Sequence, residues 1–392
     1  MTTNLALVRQ RYTPYGGAER FVDRALETLQ HQGINVAVVA RHWRDQPPDG
    51  IQIMRCNPFY WGRLWRDWGF ARSIQQQWLG RPEWLVQSHE RIPGCHLYRA
   101  GDGVHAQWLQ NRRRTQTAWQ RFATWANPYH RYLLTMERRM MTHPNLRAII
   151  CNSRMVRDEI KHWFQVPDSK LHVIHSGVDT MAFHPRSGDT LAQQVRKQWD
   201  IPLNATLFLF VGSGYARKGL TTLLHAILKV DNAWLMVVGR DSQEKHYKRL
   251  VARLNLAQRV RLAGGCQDVR PFYAAADAVV LPTLYDPFPN VALEAMACAL
   301  PLVTSFQSGA SDFLNNGHAG LLCDALDVET LSAHLHDLMD PRRRQHLGQQ
   351  GRALAETLTW ERMGRQLKTL YQHLLANPED GSMPIGNVRA GS

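Results

Sequence analysis

The chain has 392 residues, of which 44% are hydrophobic and 20% are charged. This length suits two domains, and this composition excludes a chain that is disordered over most of its length. The formal net charge of +14 indicates an anionic partner, for which nucleic acid and anionic lipid both qualify.

Apolar runs and helical patterns alternate along the front half, as in a doubly wound parallel sheet. The polar segment 185–189 is rich in breakers and predicts a domain boundary after Pro185. The predicted strands are Leu5–Val8, Asn35–Ala40, Trp84–Gln87, Ala148–Cys151 and Leu171–Ile174, with helices at Ala18–His31 and Arg154–Phe164.

The alternation restarts after the boundary and predicts a second doubly wound domain. The Gly, Pro and Ser content of the tail from Asn377 is typical of a flexible segment. The predicted strands are Thr206–Val211, Ala233–Val238, Val260–Leu262, Ala278–Leu281 and Leu302–Thr304, with helices at Lys245–Leu254, Asn290–Ala299, Glu329–Leu347 and Trp360–Leu375, and one that begins at Gly219.

Positive charge and tryptophan are concentrated in the front half. Residues 1–185 contain 25 Lys and Arg, 23 of them Arg, against 14 Asp and Glu, and nine of the 13 Trp precede residue 130. Arg suits bidentate phosphate binding, and Trp suits a bilayer interface or an aromatic-lined groove. We therefore expect the front half to meet the anionic partner.

Trp61, Trp65 and Trp68 recur at i, i+4 and i+7, which predicts one face of an amphipathic helix with basic flanks. Two interpretations are open. The three side chains pack into their own domain, or they contact a membrane surface or an acceptor. The segment 112–125, with three successive Arg followed by Trp119 and Trp125, repeats this composition, although an Arg run is also typical of a solvated face.

A glycine-rich loop, GSGYARKG at 212–219, follows the strand Thr206–Val211 and leads into a helix. Glycines let the backbone approach an anion, and a helix N-terminus offers free N–H groups. Arg217 and Lys218 oppose the helix dipole there, so a compensating anion such as a diphosphate is expected. A tight turn with incidental basic residues is the alternative, and neither the dinucleotide pattern nor a P-loop fits the spacing.

A second loop, PTLYDPFPNVALEAMA at 282–297, follows the strand Ala278–Leu281. It places Asp286 in the loop and Glu294 in the first turns of a helix. Carboxylates there can accept hydrogen bonds from ligand hydroxyls while helix amides face a phosphate, and a sugar nucleotide offers both groups. Compensation of the helix dipole alone would also explain Glu294.

These segments resemble retaining glycosyltransferases of family 4. The spacing of Asp286 and Glu294 is similar to the family's Glu-x7-Glu motif, with Asp in the first position and Glu-Ala-Met-Ala following. GGAER at 16–20 resembles the first glycine loop of the family, SGVD at 176–179 its Asn-Gly-Val-Asp turn, and RKG at 217–219 its phosphate-binding pair. Pro93-Gly94 and segment 129–138 look most like the lipopolysaccharide core glucosyltransferase branch.

The resemblance implies an α/β protein with the GT-B fold, in which two Rossmann-like doubly wound domains face each other across a cleft. The first domain would bind the acceptor, and the second would bind the nucleotide-sugar donor. A C-terminal helix would cross back to the first domain. The expected divisions are residues 1–185, residues 186–359, the C-terminal helix 360–376 and a tail at 377–392.

The resemblance also assigns donor-binding and catalytic roles. Arg217 and Lys218 would bind the donor diphosphate, Glu294 the ribose hydroxyls, and Asp286 would lie by the transferred sugar. Because Asp is one methylene shorter than Glu, the identity of the donor sugar stays open. Further donor-binding residues, whose backbone would surround the sugar hydroxyls and phosphate, are Phe288, Pro289, Asn290 and Val291.

In the front half, the glycine-flanked segment 101–105 occupies a place where the family often carries a polar residue facing the transferred sugar. We favour Asp102 for this catalytic position and place His105 second, since a structural or solvent-exposed role would also explain His105. Gly16 and Gly17 would allow close backbone approach to the donor phosphate or the acceptor.

No Asp-x-Asp pair occurs in the sequence, so we expect metal-independent transfer with no cofactor beyond the nucleotide-sugar substrate. The resemblance implies retention at the anomeric carbon and UDP as the nucleotide of the donor. The six cysteines are widely spaced and no signal-peptide pattern is present, which predicts a cytoplasmic protein. Because no run of 18 apolar residues occurs, we expect membrane contact to be peripheral, on the inner face of the cytoplasmic membrane.

The leading hypothesis is a retaining hexosyltransferase that acts on a lipopolysaccharide-core or lipid-linked glycan acceptor. One alternative is a soluble GT-B sugar or polysaccharide synthase, which leaves the Trp and Arg helix unexplained. A nucleic-acid-binding protein is the alternative from another class. It rests on charge alone and lacks a recognition motif.

Overall fold

The computed structural model describes residues 4–12, 35–43, 52–185, 190–314 and 317–376. The chain divides into two compact units, unit 1 with residues 1–175 and 361–392, and unit 2 with residues 176–360. The sequence-based prediction places the boundary after residue 185. The predicted helix Ala18–His31 and the tail from Asn377 lie outside the described residues.

Unit 1 contains a seven-stranded parallel sheet with the order β3-β2-β1-β4-β5-β6-β7. Its central strands are almost entirely apolar and buried, as expected for strands that are covered on both faces. The strands are β1 (Asn4–Tyr12), β2 (Asn35–Trp43), β3 (Gln52–Arg55), β4 (Trp84–Ser88), β5 (Leu97–Arg99), β6 (Ala148–Cys151) and β7 (Leu171–Val173).

Several helices of unit 1 begin at a side-chain cap. Thr117 and Gln120 form a reciprocal capping box, and the side chains of Asn127 and Ser153 accept hydrogen bonds from backbone N–H groups of the next helices. The helices in this part of the chain are α1 (Gly62–Gln77), α2 (His105–Arg113), α3 (Ala118–Ala126), α4 (Pro128–Met141) and α5 (Arg154–Phe164).

Unit 2 contains a six-stranded parallel sheet with the order β10-β9-β8-β11-β12-β13. Its strands are β8 (Thr206–Val211), β9 (Ala233–Val238), β10 (Val260–Gly264), β11 (Ala278–Leu281), β12 (Leu302–Ser305) and β13 (Gly320–Cys323). The helices that follow α5 along the chain are α6 (Thr190–Gln198), α7 (Leu220–Leu228), α8 (Glu244–Arg253), α9 (Arg270–Ala275), α10 (Asn290–Ala297), α11 (Val328–Asp337), α12 (Pro341–Thr357) and α13 (Trp360–Ala376).

The prediction of one helix over Glu329–Leu347 is wrong. Helix α11 ends at Asp337, and α12 begins at Pro341, because Pro has no N–H to continue a helix but fits its first position. The Asp340 side chain caps α12 by accepting a hydrogen bond from the N–H of Arg342 at 2.9 Å. The short strands β3, β5 and β13 and the helices α2 to α4, α6 and α9 were absent from the prediction.

The strand orders confirm the predicted doubly wound fold class in both units. Each order reverses beside the first strand of the unit, between β1 and β4 in unit 1 and between β8 and β11 in unit 2. Ligands of open α/β sheets bind in the crevice at the carboxyl ends of the two strands that flank this switch point. The fold therefore directs attention to the loops that follow these four strands.

Helix α13 is tied to the core of unit 1. The hydroxyl of Tyr371 donates a hydrogen bond to Oε1 of Gln87 at the end of β4, at 2.6 Å. Arg147 donates to the carbonyl oxygen of Leu374. Of the helices that the structure describes, α13 included, none is both long and apolar enough to cross a bilayer.

Candidate functional site

The loop that follows β8 is shaped by glycine. Gly212 has φ of +136°, and a Cβ atom built there would lie 2.6 Å from Cε of Lys218. Glycine therefore lets the Lys218 side chain fold back over the loop. At the end of the loop, Gly219 has φ of +79°, and its Cβ would lie 1.9 Å from the carbonyl oxygen of Pro282, so this position also requires glycine.

The loops after β8 and β11 are hydrogen-bonded to each other. The carbonyl oxygen of Arg217 accepts hydrogen bonds from the N–H of Leu284 at 2.8 Å and from Oγ1 of Thr283 at 3.1 Å. In the other direction, Nη1 of Arg217 donates to the carbonyl oxygen of Tyr285 at 2.8 Å. These bonds fix the two loops at the switch point of the unit 2 sheet.

Arg217, Lys218 and Asp286 meet at this point. Nη1 of Arg217 and Nζ of Lys218 each lie 3.2 Å from Oδ2 of Asp286. Only 8% of Asp286 and 7% of Lys218 are exposed, whereas Arg217 is half-buried. The structure thus brings together the two predicted phosphate-binding cations and the predicted sugar-contacting carboxylate.

Two cations control the ionisation of Asp286. Burial by itself would raise the pKa of this carboxyl group, but the ammonium of Lys218 and the guanidinium of Arg217 outweigh burial and hold its pKa below the usual value. Asp286 is therefore ionised at neutral pH. Its backbone is fixed as well, since its carbonyl oxygen accepts a hydrogen bond from the N–H of Gly309 at 2.8 Å.

Glu294 lies on α10 and is only 4% exposed. Its Oε2 accepts a hydrogen bond from the hydroxyl of Tyr273, on α9, at 2.8 Å. Both Glu294 and Lys218 are buried, although Lys218 lies in a loop. Glu294 is buried on a helix whose other buried residues are all apolar, and Gly212 leaves room for the Lys218 side chain to lie against the loop.

The predicted donor-binding backbone segment lies at the start of α10. Pro289 precedes the helix, and its side chain makes no capping hydrogen bond to the first N–H groups. Phe288 is buried and packs edge-on against Phe313 at 5.9 Å between ring centroids, while Asn290 and Val291 are half-buried. An uncapped helix N-terminus beside two cations provides an environment suited to an anion.

Asp102 and His105 have different environments in unit 1. Asp102 is exposed and lines a polar cavity of about 490 Å³ together with Arg9, Glu90 and Arg91, at the carboxyl ends of β1 and β4. His105 is buried at the start of α2, where its Nε2 lies 3.1 Å from Nδ1 of His130, and it is not among the residues that line this cavity.

Buried Glu137 organises the start of α2. Its carboxylate accepts hydrogen bonds from the backbone N–H of His105 at 2.9 Å and from Nε of Arg91 at 2.9 Å. Burial lowers the pKa of His105 to about 3, with further lowering by the charge of Arg91, so its imidazole is neutral at pH 7. The ion pair between Arg91 and Glu137 holds Arg91 in place at the wall of the polar cavity.

Two of the predicted site residues lie outside the described part of the chain, and two residues that support the sites were not predicted. Gly16 and Gly17 lie outside the described residues. Tyr273 and Glu137 were not predicted, because the partners of each are more than twenty positions away in the chain. The sequence offered one signal for these contacts. Glu294 lies within an apolar helical pattern, and a Glu that is buried there requires a hydrogen-bond partner.

Helix α1 contradicts the interpretation that its tryptophans pack into their own domain. It is buried through Gly69, Phe70, Ala71 and Ile74, while 81% of Trp61 and 44% of Trp68 are exposed. The residues Trp61, Trp65 and Trp68 are called the α1 aromatic face below. On α3, which buries no residue, Trp119, Phe122 and Trp125 are exposed in the same way and are called the α3 aromatic face.

The described residues contain no group of three or more His, Cys, Asp or Glu side chains that is arranged to hold a metal ion. Two family models match consecutive parts of the chain. The model described as Glycosyltransferase Family 4 matches residues 15–181, and the model described as Glycosyl transferases group 1 matches residues 192–354. The chain belongs to glycosyltransferase family 4.

Relatives of this family 4 protein include enzymes of lipopolysaccharide synthesis. It is 30% identical over 183 residues to the lipopolysaccharide core biosynthesis glycosyltransferase LpsE of Rhizobium meliloti, and this match covers 46% of the chain and 53% of LpsE. The match thus spans about half the length of that relative.

Solved structures of similar fold cover nearly the whole chain and support the GT-B fold. The crystal structure of WaaG, a glycosyltransferase involved in lipopolysaccharide biosynthesis, matches with a TM-score of 0.77 and 20% identity, over 93% of this chain and 98% of WaaG. Anabaena HepE in complex with UDP-glucose matches with a TM-score of 0.70 and 17% identity, over 95% of this chain and all of HepE.

Proposed function

We propose that the protein is a retaining hexosyltransferase that moves a hexose from a UDP-sugar to a lipopolysaccharide-core or lipid-linked glycan acceptor at the inner face of the cytoplasmic membrane. The observation that carries this proposal is the convergence of Arg217 and Lys218 on one carboxylate oxygen of Asp286, 3.2 Å from each cation. The loops at the switch point of unit 2 thereby hold two cations where a family 4 donor diphosphate is expected.

The chemistry of transfer requires stabilisation of the leaving group. When the bond from the hexose to the diphosphate breaks, negative charge develops on the departing UDP. Arg217, Lys218 and the uncapped N–H groups at the start of α10 can accept that charge without a metal ion. Nearly buried Lys218 is pre-organised for this purpose, because the geometry around Gly212 holds its side chain in place.

The remaining donor contacts follow the family assignment. Glu294 would accept hydrogen bonds from the ribose hydroxyls, with Tyr273 holding one of its oxygens in position at 2.8 Å. Asp286 would contact the transferred hexose through the oxygen that the cations leave available. The complex of Anabaena HepE with UDP-glucose supports UDP as the nucleotide of the donor. Retention at the anomeric carbon rests on family membership.

Unit 1 supports an acceptor role through its polar cavity. Arg9, Arg66 and Arg91 line this cavity together with the carboxylates of Glu90 and Asp102. Cations suit the anionic groups of a lipopolysaccharide core, and carboxylates suit its sugar hydroxyls. The similarity to LpsE and WaaG supports the same class of acceptor.

The membrane location is supported by the α1 and α3 aromatic faces. Exposed Trp side chains prefer a bilayer interface, where the ring is partly buried and the indole N–H stays hydrated. From residue 105 to residue 141 the sequence contains seven Arg and a single acid, the buried Glu137. Aromatic rings beside an excess of positive charge suit the anionic inner surface of the cytoplasmic membrane.

A thermal-shift screen tests the donor assignment. The protein is heated with UDP, GDP, ADP and their common sugar conjugates, with and without a chelator. We expect UDP and a UDP-hexose to raise the melting temperature equally well in both conditions, because a ligand that binds only the folded state stabilises it by mass action. A response to another base would overturn the UDP assignment, and loss of the shift with chelator would overturn metal independence.

Membrane binding decides between the proposal and the soluble-synthase alternative. Flotation with vesicles of anionic phospholipid is expected to carry the protein, whereas a soluble synthase would stay in the aqueous fraction. The comparisons do not support the nucleic-acid-binding alternative. Salt-sensitive binding to duplex DNA in the absence of any nucleotide response would revive it.

A further inference from the structure

Helices α1 and α4 border a groove with a volume of about 480 Å³. Ala71, Pro93 and Met136 give the groove an apolar lining, called the floor below, and Gln75, Tyr132 and Thr135 add polar groups. Trp68, a member of the α1 aromatic face, forms part of the wall. Ala71 and Met136 belong to the buried core, whereas Trp68, Arg72, Arg131 and Arg139 are exposed, so the groove opens from the core of unit 1 to the surface.

Three arginines line this groove, Arg72 from α1 and Arg131 and Arg139 from α4. All three are exposed, and no carboxylate lines the groove. Among the described residues, no Asp or Glu forms a salt bridge with any of them, whereas Arg66 and Arg91 nearby each bind a carboxylate. Three guanidinium groups on one groove without a protein counter-charge create a positive potential that suits an external anion.

The guanidinium of Arg72 lies over the ring of Trp68, with 5.7 Å from Cζ to the ring centroid. This cation–π contact keeps the charge at the rim while the indole covers the apolar floor. The groove therefore offers two kinds of surface side by side: an apolar floor for carbon atoms and a rim of Arg donors for phosphate oxygens.

We propose that the α1–α4 groove binds the phosphodiester headgroup of an individual anionic phospholipid, with the glycerol and first acyl carbons against the apolar floor. A phospholipid fits better than a sugar phosphate because the floor is apolar and because Trp68 belongs both to the groove and to the α1 aromatic face. The groove would fix the orientation of unit 1 on the bilayer, which the exposed aromatic rings alone do not do. The proposal rests on the membrane location proposed above.

Monomeric short-chain lipid tests the groove without a bilayer. Binding of dihexanoylphosphatidylglycerol below its critical micelle concentration is measured by calorimetry on the full chain. Arg139→Gln and Arg131→Gln are each expected to weaken binding about tenfold, the value of one charge-assisted hydrogen bond. The matched control is Arg138→Gln, which removes the same charge from the next position of α4 but does not line the groove. It should change the affinity less than about twofold.

Several outcomes would overturn the proposal. Equal losses in Arg138→Gln and Arg139→Gln would show general electrostatics rather than a site. Equal binding of dihexanoylphosphatidylcholine would exclude selection of an anionic lipid, and equal binding of inorganic phosphate or glucose 6-phosphate would assign the groove to free phosphate or sugar phosphate. The UDP thermal shift is measured on the same variants, so failure of the donor proposal is distinguishable from failure of the groove.

Discussion

Nζ of Lys218 lies 3.2 Å from Oδ2 of Asp286, although the two residues are 68 positions apart in the chain. Both side chains are nearly buried, and Arg217 lies equally close to the same oxygen. Asp286 is thus a counter-anion for two cations at the switch point of unit 2. A diphosphate at this place would compete with Asp286 for those cations. Loss of the carboxylate and loss of a cation should therefore change nucleotide affinity in opposite directions.

Replacing Asp286 by Asn should separate nucleotide binding from transfer. The amide keeps the shape of the side chain but removes the negative charge that competes for Lys218 and Arg217. We expect UDP to bind at least as tightly as to the wild type, while hexose transfer falls by about a hundredfold or more because the sugar contact is lost. Calorimetry with UDP and a transfer assay measure the two effects. A parallel loss of UDP affinity would instead make Asp286 a structural partner of the loop.

Replacing Lys218 by Met should remove a donor for the diphosphate while keeping the length of the side chain. We expect UDP affinity to fall by about tenfold to a hundredfold, as for loss of a charge-assisted hydrogen bond. Lys229→Met is the matched control, because Lys229 is exposed and pairs with Glu329 at the far end of α7. Similar losses in both variants would indicate a general effect of charge rather than a site at Lys218.

Replacing Tyr273 by Phe should leave Glu294 buried with one hydrogen bond fewer. We expect the free energy of unfolding to fall by about 1–3 kcal/mol, and the KM for the UDP-sugar to rise more than kcat changes. The control is Tyr247→Phe, since the Tyr247 hydroxyl makes a longer contact of 3.4 Å with Oγ1 of Thr221. Urea unfolding of both variants checks the difference, and equal losses would contradict a special role for the Tyr273 hydroxyl.

The α3 aromatic face gives a test of membrane contact. Trp119 is 75% exposed, so Trp119→Glu should leave the fold intact and reduce flotation with anionic vesicles by about tenfold, because the change removes an interfacial Trp and adds repulsion from anionic lipid. Leu203→Glu places the same charge on an exposed apolar position of unit 2 and should have little effect. Unchanged flotation of Trp119→Glu would exclude this face from the contact.

His105 should make stability depend on pH below neutrality. Its pKa in the folded chain is lowered to about 3, by burial first and then by the charge of Arg91, from an ordinary value of 6.5. Between these values the unfolded chain binds a proton that folded His105 does not bind, so stability falls as pH falls from 6.5 towards 3. At pH 5 we expect this loss to reach about 2 kcal/mol.

His105→Gln removes this titration and should flatten the dependence. The difference between urea midpoints at pH 7 and pH 5 measures it in the variant and in the wild type. The comparison isolates His105 from other buried histidines such as His89 and His172, whose pKa values burial also lowers. An equally steep dependence in the variant would assign the pH sensitivity to those other groups.

Local patterns were enough to predict the main strands of both sheets and the two loops of unit 2. Strands such as Thr206–Val211 and Ala278–Leu281 have the same bounds in the prediction and in the structure, because continuous apolar runs of this length are typical of buried parallel strands. The elements that were missed include β5, with three residues, and α3, whose apolar residues face outward. Neither carries the pattern of a core element.

The sequence by itself determined the alternation of strands and helices, the family motifs and the chemical nature of the donor-site candidates, since each depends on neighbouring residues. Only the tertiary structure decided that Lys218 meets Asp286, that Tyr273 meets Glu294 and that the α1 aromatic face is exposed. Periodicity fixes which residues share a face of a helix, but not whether that face meets the core or the solvent. Strand order fixes which loops meet at the switch point, and that order arises from packing across the whole sheet.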